Sequence, residues 1–414
     1  MVNYFYDCYT ILNKVYSDGA YFKQAVISTP IEEKNRALIV KTCYGVLDKD
    51  IELSYYIKIL ADKTPKLVIR TILKISMYAI KYLKKQPYAV TKNAVELTKK
   101  LGKTGTSGFV NAFLRKFIDT EFILPQDIAE NLSVKYSYPL FAVKELIAEY
   151  GLNEAENIVK TENDTNTLVF YGVDGEKYLS ERNVNYNKTP FKNVFTVKNF
   201  IRSTDYDKGV YTFQALGSVA VCDVIDPGEK LLDCCSAPGG KSVRLSYKFD
   251  KVYACDIHEH RVGLINDYIF RMKRKNIKTF VCDSKVFNPE WNRFFDAVLC
   301  DSPCSGFGVV NDNPDIKLNR DEKDIDALVT EQFSILKNVS EYVKIGGSLY
   351  YSTCSVLQRE NDEIIKKFLS FNDCFEVQSI NSPLNHQKMN FGLQFLPHIS
   401  GGLGFYVSKL KRVK

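Results

Sequence analysis

The chain has 414 residues, of which 45% are hydrophobic and 25% are charged, a composition typical of globular proteins and a length that favours two or three domains. No apolar run reaches membrane-spanning length, which argues against a membrane protein. The first residues lack a basic segment followed by an apolar one, so we expect no signal peptide and a cytoplasmic location.

Cysteine and histidine usage gives no metal site. The eleven cysteines include no C-x-x-C pair, and the four histidines complete no zinc pattern with them. Scattered thiols of this kind are typical of a reducing cytosol. We therefore expect neither a metal nor a disulfide framework.

Residues 1–125 form a first predicted domain. Apolar side chains such as Leu67, Ile72 and Met77 recur at helical intervals, and a second series runs from Val90 to Leu101. The segment FVNAFLRKF predicts another short amphipathic helix. This part of the sequence therefore predicts an all-α domain.

The stretch from Lys58 to Lys103 is strongly basic, with twelve Lys and Arg against two acids. Such a stretch is commonly a solvated helical surface. It is also the composition of a face that binds phosphates. Composition alone does not decide between these two interpretations.

Residues 126–205 predict a small α+β linker domain. A helical pattern ends at Gly151, which suits a helix C-terminus. The runs TLVFYGV and NVFTV are typical of short strands.

From residue 206 to 414, apolar strand-like runs alternate with helical segments. The runs include KLLDCC, KVYACDI, KTFVCDS, DAVLCDS and GSLYYSTCS. This alternation predicts an α/β domain with a parallel, doubly wound sheet.

The predicted strands end in residues that suit a nucleoside-bearing cofactor. Gly239 and Gly240 follow the first strand, although Cys235 stands where a P-loop requires glycine. Asp256, Asp283 and Asp301 end the next three predicted strands. Ligands bind at this edge of open α/β sheets, and a carboxylate at the second strand's tip is placed for ribose hydroxyls.

Two cysteines, Cys304 and Cys354, follow neighbouring predicted strands and should share the same pocket. Taken singly, each is more typical of an inert buried thiol than of a nucleophile. A disulfide is geometrically feasible but is disfavoured in a reducing compartment. A metal pair lacks further ligands.

Two groups of segments resemble those of a known protein family. The first group comprises DCCSAPGGKS, CDSPCSGFG with NPDIK, and YYSTCSV. These segments closely resemble motifs of the RNA 5-methylcytosine methyltransferases, which use S-adenosyl-L-methionine. The second group comprises NRALIVKTCYGVLDKDIEL, AVTKNAVELTKK and GFVNAFLRKF. These segments are similar to the NusB-like domain found in one branch of that family, which methylates bacterial 16S ribosomal RNA. The resemblance implies a NusB-like helical RNA-binding domain, a Rossmann-like methyltransferase domain, small-subunit ribosomal RNA as partner, and a monomer without membrane or metal.

The resemblance also implies residue roles. In this family a cysteine thiolate adds to carbon 6 of cytosine, and carbon 5 then takes the methyl group. Cys354 matches the attacking cysteine, Cys304 the one associated with product release, and Asp301 the group that contacts the ring near N3. The implied cofactor-binding residues are Cys235, Ser236, Ala237, Pro238, Gly239, Gly240, Lys241, Asp256, Asp283 and Asp301.

The chain departs from the family pattern at several points. Asn311 and Asp312 stand where two arginines are usual. Residues 214–218 read QALGS where the family usually has Q-D-x-x-S. The segment TLVFYGV only partly matches the usual T-x-R-V-N motif. Loss of two cations predicts weaker phosphate contacts, so a transfer-RNA substrate stays open. An RNA-binding module with a decayed methyltransferase half is the other alternative, and absence of cofactor binding would favour it. An amino-group methyltransferase is disfavoured, because DSPC replaces the Asn/Asp-Pro-Pro-aromatic loop.

Overall fold

A computed structural model describes residues 2–414, with side chains from Tyr4 onward. Contacts divide the chain into two units. The first runs to Lys160 and also takes in Val310–Arg320, and the second comprises Thr161–Val309 and Asp321–Lys414. The three-domain division at residues 125 and 205 stays a prediction.

The first unit is helical, as the sequence predicts. Buried side chains such as Ile72, Met77 and Leu97 come from the apolar faces that the sequence marks. The helices of the described residues are α1 (Val2–Asp18), α2 (Phe22–Ile27), α3 (Glu33–Asp48), α4 (Asp50–Leu60), α5 (Leu67–Lys81), α6 (Pro87–Lys100), α7 (Ser107–Asp119), α8 (Ile128–Lys135), α9 (Leu140–Tyr150) and α10 (Leu152–Lys160). Helix α9 ends before Gly151, whose φ of 79° is one that glycine adopts readily.

Two lysines of the basic stretch point into this unit. Lys74 Nζ lies 2.6 Å from Asp50 Oδ1, and Lys81 Nζ lies 2.6 Å from Glu52 Oε1. Both carboxylates are buried, and a buried carboxylate needs a partner. These two lysines therefore stabilise the fold, and only the others are available for a ligand.

The segment Val310–Arg320 packs with the helical unit. In the chain, however, it lies between the two parts of the second unit, Thr161–Val309 and Asp321–Lys414. Lys317 Nζ is 2.7 Å from both Asp48 Oδ1 and the Asp48 carbonyl oxygen. Asp315 accepts a hydrogen bond from the backbone N–H of Phe22 at 3.2 Å. Burial lowers the pKa of Lys317, although the charge of Asp48 opposes this effect.

The second unit begins with a four-stranded antiparallel sheet. Its strand order is β2-β3-β1-β4. Its elements are β1 (Thr165–Phe170), α11 (Gly175–Glu181), β2 (Tyr186–Lys188), β3 (Val194–Lys198), α12 (Thr204–Asp207) and β4 (Tyr211–Phe213).

A larger sheet forms the rest of the second unit. Its strands are β5 (Gly228–Asp233), β6 (Phe249–Asp256), β7 (Ile277–Val281), β8 (Phe295–Asp301), β9 (Val343–Thr353), β10 (Phe375–Val377), β11 (Gln387–Lys388), β12 (Leu393–Phe395) and β13 (Phe405–Arg412). Its helices are α13 (Leu216–Asp223), α14 (Gly240–Leu245), α15 (Glu259–Arg271), α16 (Glu322–Ser340), α17 (Asp362–Phe371) and α18 (Pro397–Ser400).

The predicted parallel sheet is confirmed for five strands. They lie in the order β9-β8-β5-β6-β7, and each neighbouring pair is parallel. The C-terminal strands add antiparallel partners, because β13 pairs with β9 in the opposite direction. One expected strand end is wrong: β7 ends at Val281, so Asp283 lies in the loop beyond it.

Candidate active site

The carboxyl ends of the parallel strands surround a cavity of about 410 Å³. This volume lies within the range of small-molecule sites. Seven predicted site residues line it, namely Cys235, Ala237, Asp256, Asp283, Asp301, Cys304 and Cys354. Ser236, Pro238, Gly239, Gly240 and Lys241 are not among its lining residues.

Cys304 and Cys354 form a close thiol pair in this cavity. Their Sγ atoms are 3.2 Å apart, and both cysteines are free. The two loops follow β8 and β9, which are paired side by side up to Asp301 and Ser352. Beyond the strands, the Gly308 N–H donates to the Cys354 carbonyl oxygen at 2.9 Å. Neighbouring strands therefore bring together two thiols that are 50 residues apart in sequence.

The environment of Cys304 favours its protonated form. A hydrogen bond with Cys354 and burial raise the pKa of Cys304 well above its usual value, and the charges of Cys354 and Glu360 add to the rise. Cys304 therefore keeps its proton at neutral pH and can donate it in a hydrogen bond to Cys354 Sγ.

Asp301 is held by two donors. Lys241 Nζ lies 2.7 Å from Asp301 Oδ2, and Ser352 Oγ donates to Asp301 Oδ1 at 2.6 Å. Burial alone would lower the pKa of Lys241, but the charge and hydrogen bond of Asp301 outweigh it and raise that pKa. The glycine loop thus supplies a fixed cation beside the carboxylate, although Lys241 itself does not line the cavity.

The loop between β5 and α14 folds tightly against the sheet. The Ser236 N–H donates to the Cys255 carbonyl oxygen at 2.8 Å, and the Gly239 N–H donates to the Ser236 carbonyl oxygen at 2.7 Å. Gly239 has a φ of 103°, a conformation that favours glycine. The second glycine, Gly240, begins α14. The strand–glycine turn–helix arrangement that the sequence predicts is therefore present.

Asp256 and Asp283 present carboxylates to the cavity. Asp256 is 3% exposed, accepts a hydrogen bond from the His258 N–H at 3.2 Å, and lies 3.4 Å from Arg261 Nη1. Asp283 Oδ1 accepts a hydrogen bond from the Lys285 N–H at 2.9 Å. Both have acceptor capacity left for hydroxyl groups of a ligand.

Sequence reasoning missed Arg261, which lines the cavity, and Asp233, which does not line it but ends the strand before the glycine loop. Asp233 ends β5, is fully buried, and accepts a hydrogen bond from Ser242 at 2.5 Å. Burial raises the pKa of Asp233 to about 7. The hydrogen bond from Ser242 acts to lower this pKa, whereas the charge of Asp301 acts to raise it. Its position at a strand end beside the glycine loop is the sequence signal that could have identified it. Arg261 carried no such signal, since it lies on α15 and reaches Asp256 only in the folded chain.

The other cavities differ from this one in size or lining. A small cavity of about 30 Å³ is lined by Cys234, Cys255, Cys282 and Asp283. A larger cavity of about 800 Å³ lies in the helical unit, but its lining includes no cysteine. Among the described residues, no cluster of three or more His, Cys, Asp or Glu side chains could hold a metal. No helix within residues 2–414 has the length and apolar character needed to cross a membrane.

Known proteins match the chain along nearly its whole length. Residues 224–411 match the family described as 16S rRNA methyltransferase RsmB/F, and residues 6–119 match the NusB family. The probable ribosomal RNA small subunit methyltransferase B of Bacillus subtilis is 31% identical over 97% of this chain and 95% of its own. The chain belongs to the ribosomal RNA small subunit methyltransferase B family. The family's enzyme from Pectobacterium carotovorum is 28% identical over 92% of this chain and 91% of its own.

Solved structures share the fold. The crystal structure of PH0851 superposes with a TM-score of 0.84 at 20% identity and covers 99% of this chain and 98% of its own. NSun6 from Pyrococcus horikoshii gives a TM-score of 0.58 at 18% identity over 70% of this chain and 98% of its own. The expected fold class, a NusB-like helical domain with a Rossmann-like methyltransferase domain, is thereby confirmed.

As a methyltransferase of this family, the chain uses S-adenosyl-L-methionine, and the cavity suits that cofactor. Its lining contains four acids, of which Asp301 pairs with Lys241, Glu331 with Lys285 and Asp256 with Arg261. Asp256 stands at the tip of β6, where a ribose would be held. Ile257 and Pro303 add apolar surface beside these carboxylates.

Proposed function

We propose that this enzyme methylates carbon 5 of a cytosine in 16S ribosomal RNA through a covalent bond between Cys354 and carbon 6. The proposal is carried by the 3.2 Å separation of the Cys304 and Cys354 Sγ atoms, in a cavity that Asp301 also lines. An enzyme that methylates an amino nitrogen needs no cysteine, so this arrangement favours methylation of a carbon atom.

Covalent attack solves a reactivity problem, because carbon 5 of cytosine is a weak nucleophile. When Cys354 Sγ bonds to carbon 6, the electron pair of the 5,6 double bond moves to carbon 5, which can then bond to a methyl carbon. The cofactor would supply that carbon from a positively charged sulfur, whose bond to the methyl group would break and leave a neutral thioether. A base must afterwards remove the carbon 5 proton, so that the double bond re-forms and the carbon–sulfur bond breaks.

Cys304 is suited to be that base because its environment changes during the reaction. In the free enzyme, Cys354 is the main reason that the pKa of Cys304 is high. Once Cys354 Sγ is bonded to carbon 6, it carries no charge and is a weaker hydrogen-bond partner. The largest cause of the raised pKa of Cys304 is then gone, although burial and Glu360 still raise it. Once Cys304 has released its proton to solvent, its thiolate can take the carbon 5 proton.

Asp301 is proposed to contact the ring near N3 and to pass to it the proton that the Cys354 thiol gives up as its sulfur adds to carbon 6. Withdrawing electron density there favours the addition. Lys241 and Ser352 fix the orientation of Asp301 through bonds of 2.7 and 2.6 Å. The cytosine must leave its stack to reach this cavity.

The helical unit offers a surface for the RNA strand. A groove of about 560 Å³ between α6 and α7 is lined by Lys92, Lys99 and Arg115 together with Tyr88, which is 82% exposed. The three cations are exposed, and the groove lining also contains one acid, Glu96. Cations bind phosphates and an exposed aromatic ring stacks on a base, so we assign this groove to the RNA backbone.

Bisulfite sequencing of ribosomal RNA tests the proposed function. In a deletion strain, one cytosine of 16S ribosomal RNA should lose its protection from conversion, and the wild-type gene should restore it. A Cys354→Ala gene should not restore it. Protection lost only in transfer RNA would contradict the substrate, and protection restored by Cys354→Ala would contradict the mechanism.

A further inference from the structure

Glu360 is a completely buried carboxylate just after β9. Its Oε1 accepts hydrogen bonds from the Ser305 N–H at 2.7 Å and from Gln332 Nε2 at 3.0 Å. Its Oε2 accepts from the hydroxyl groups of Ser305 and Ser355, both at 2.5 Å. Within the described residues no lysine or arginine pairs with Glu360, so these four donors alone compensate its burial.

The donors belong to the two cysteine loops. Ser305 follows Cys304, and Ser355 follows Cys354. The two serine hydroxyls are 3.2 Å apart, the same distance that separates the thiols. Gln332 adds a second link, since its Nε2 also donates to the Pro303 carbonyl oxygen at 3.0 Å.

We propose that Glu360 is a positioning residue that fixes the separation of Cys304 and Cys354. The expected loss of kcat rests on the proposed function, whereas the claim that Glu360 fixes the thiol separation does not. Glu360 does not line the cavity, so it acts through the two loops. A misplacement of about 1 Å can lower a rate on the order of 10²-fold, so loss of Glu360 lowers kcat and leaves the KM for S-adenosyl-L-methionine unchanged.

Asp362 provides a matched control. It is 4% exposed, lies two residues further on, and accepts hydrogen bonds from the N–H groups of Asn390 and Phe391 and from the Tyr406 hydroxyl. None of these donors belongs to a cysteine loop. Asp362→Asn therefore reports what the loss of a buried carboxylate does to the fold alone.

The experiment compares Glu360→Gln with Asp362→Asn by oxidation with diamide, which takes two electrons and two protons from a thiol pair as a disulfide forms. The rate of the Cys304–Cys354 crosslink, followed by mass spectrometry of peptides, reports on the thiol pair without any methylation. Loss of the Glu360 charge would by itself speed the crosslink, because that charge helps to raise the pKa of Cys304, so a slower crosslink reports a changed separation of the thiols. We expect Glu360→Gln to slow this crosslink by about tenfold or more and to lower kcat, while Asp362→Asn leaves both near wild type.

Milder variants keep the test decisive if Glu360→Gln does not fold. Ser305→Ala and Ser355→Ala each remove one hydroxyl donor, and each should slow the crosslink. Wild-type crosslinking and wild-type kcat in Glu360→Gln would overturn the proposal, as would equal slowing in Asp362→Asn. Failure of the proposed function is separately visible, because methylation would then persist in Cys354→Ala whatever the crosslinking rates.

Discussion

Lys241 Nζ lies 2.7 Å from Asp301 Oδ2 and links the start of α14 to the end of β8. Both side chains are mostly buried, at 14% and 23% exposure. Removing one partner of such a pair leaves the other charge uncompensated, which is more damaging than the loss of a surface pair. The pair therefore couples the glycine loop to the residue proposed to contact the base.

We expect Lys241→Met to lower kcat/KM by roughly 10- to 100-fold, because Asp301 then loses its fixed cation and its orientation. Steady-state methyl transfer to ribosomal RNA measures this effect. Lys344→Met is the control, since Lys344 pairs with Asp296 at 2.8 Å elsewhere in the same sheet. Equal losses in the two variants would show that the Lys241 effect is one of folding.

Asp256→Ala should weaken binding of S-adenosyl-L-methionine by about 1–3 kcal/mol, because hydrogen bonds to a charged group are lost. Titration calorimetry measures the affinity directly. Asp250→Ala alters the same strand at an exposed position and should leave affinity unchanged. Unaltered binding by Asp256→Ala would remove this residue from the cofactor site.

The raised pKa of Asp233, about 7, gives stability a pH dependence. Its pKa in the unfolded chain is about 3.9, so the folded protein retains a proton that the unfolded chain loses. The stabilising contribution is complete below about pH 4 and is lost as pH rises to about 7. Asp233→Asn removes this titration.

Denaturant titrations from pH 4 to 7 measure the free energy of unfolding. Over this range the wild type should lose stability relative to Asp233→Asn by up to about 1.4 kcal/mol per pH unit. Asp250→Asn, at an exposed position, should follow the wild type. Parallel pH profiles for Asp233→Asn and wild type would contradict the raised pKa.

The α6–α7 groove predicts a change in the salt dependence of RNA binding. Replacing Lys92, Lys99 and Arg115 by Gln should reduce the slope of log affinity against log salt by about two, because three phosphate contacts are lost from a single strand. The control replaces three other exposed lysines, Lys23, Lys144 and Lys192. An identical slope in both triple variants would show that the α6–α7 groove is a solvated surface and not an RNA-binding one.

The local patterns of the sequence predict much of the fold. Alternating apolar runs gave the parallel strands, and helical periodicity gave α5 and α6. The ends of β6 and β8 at Asp256 and Asp301 also follow from the sequence, because the apolar runs stop there. Asp283 was misplaced because Cys282 extends the apolar run past the last paired residue, Val281.

What the sequence could not predict are contacts between distant residues that no motif or strand end marks. Lys317 meets Asp48 across 269 positions, and Glu360 meets Ser305 across 55. Neither pair carries a spacing or periodic signal. In the basic stretch, only the fold separates Lys74, which neutralises Asp50, from the exposed Lys92.

The unequal roles of the two thiols are the central claim. The measurement is denaturing electrophoresis of the enzyme after incubation with S-adenosyl-L-methionine and its ribosomal RNA. We expect Cys354→Ala to form no covalent adduct and to be inactive, because no thiol attacks carbon 6. Cys304→Ala should accumulate an adduct that survives denaturation, because attack and methyl transfer proceed while removal of the carbon 5 proton is impaired. An adduct in Cys354→Ala and none in Cys304→Ala would reverse the assignment, and methylation without adduct in both variants would contradict covalent catalysis.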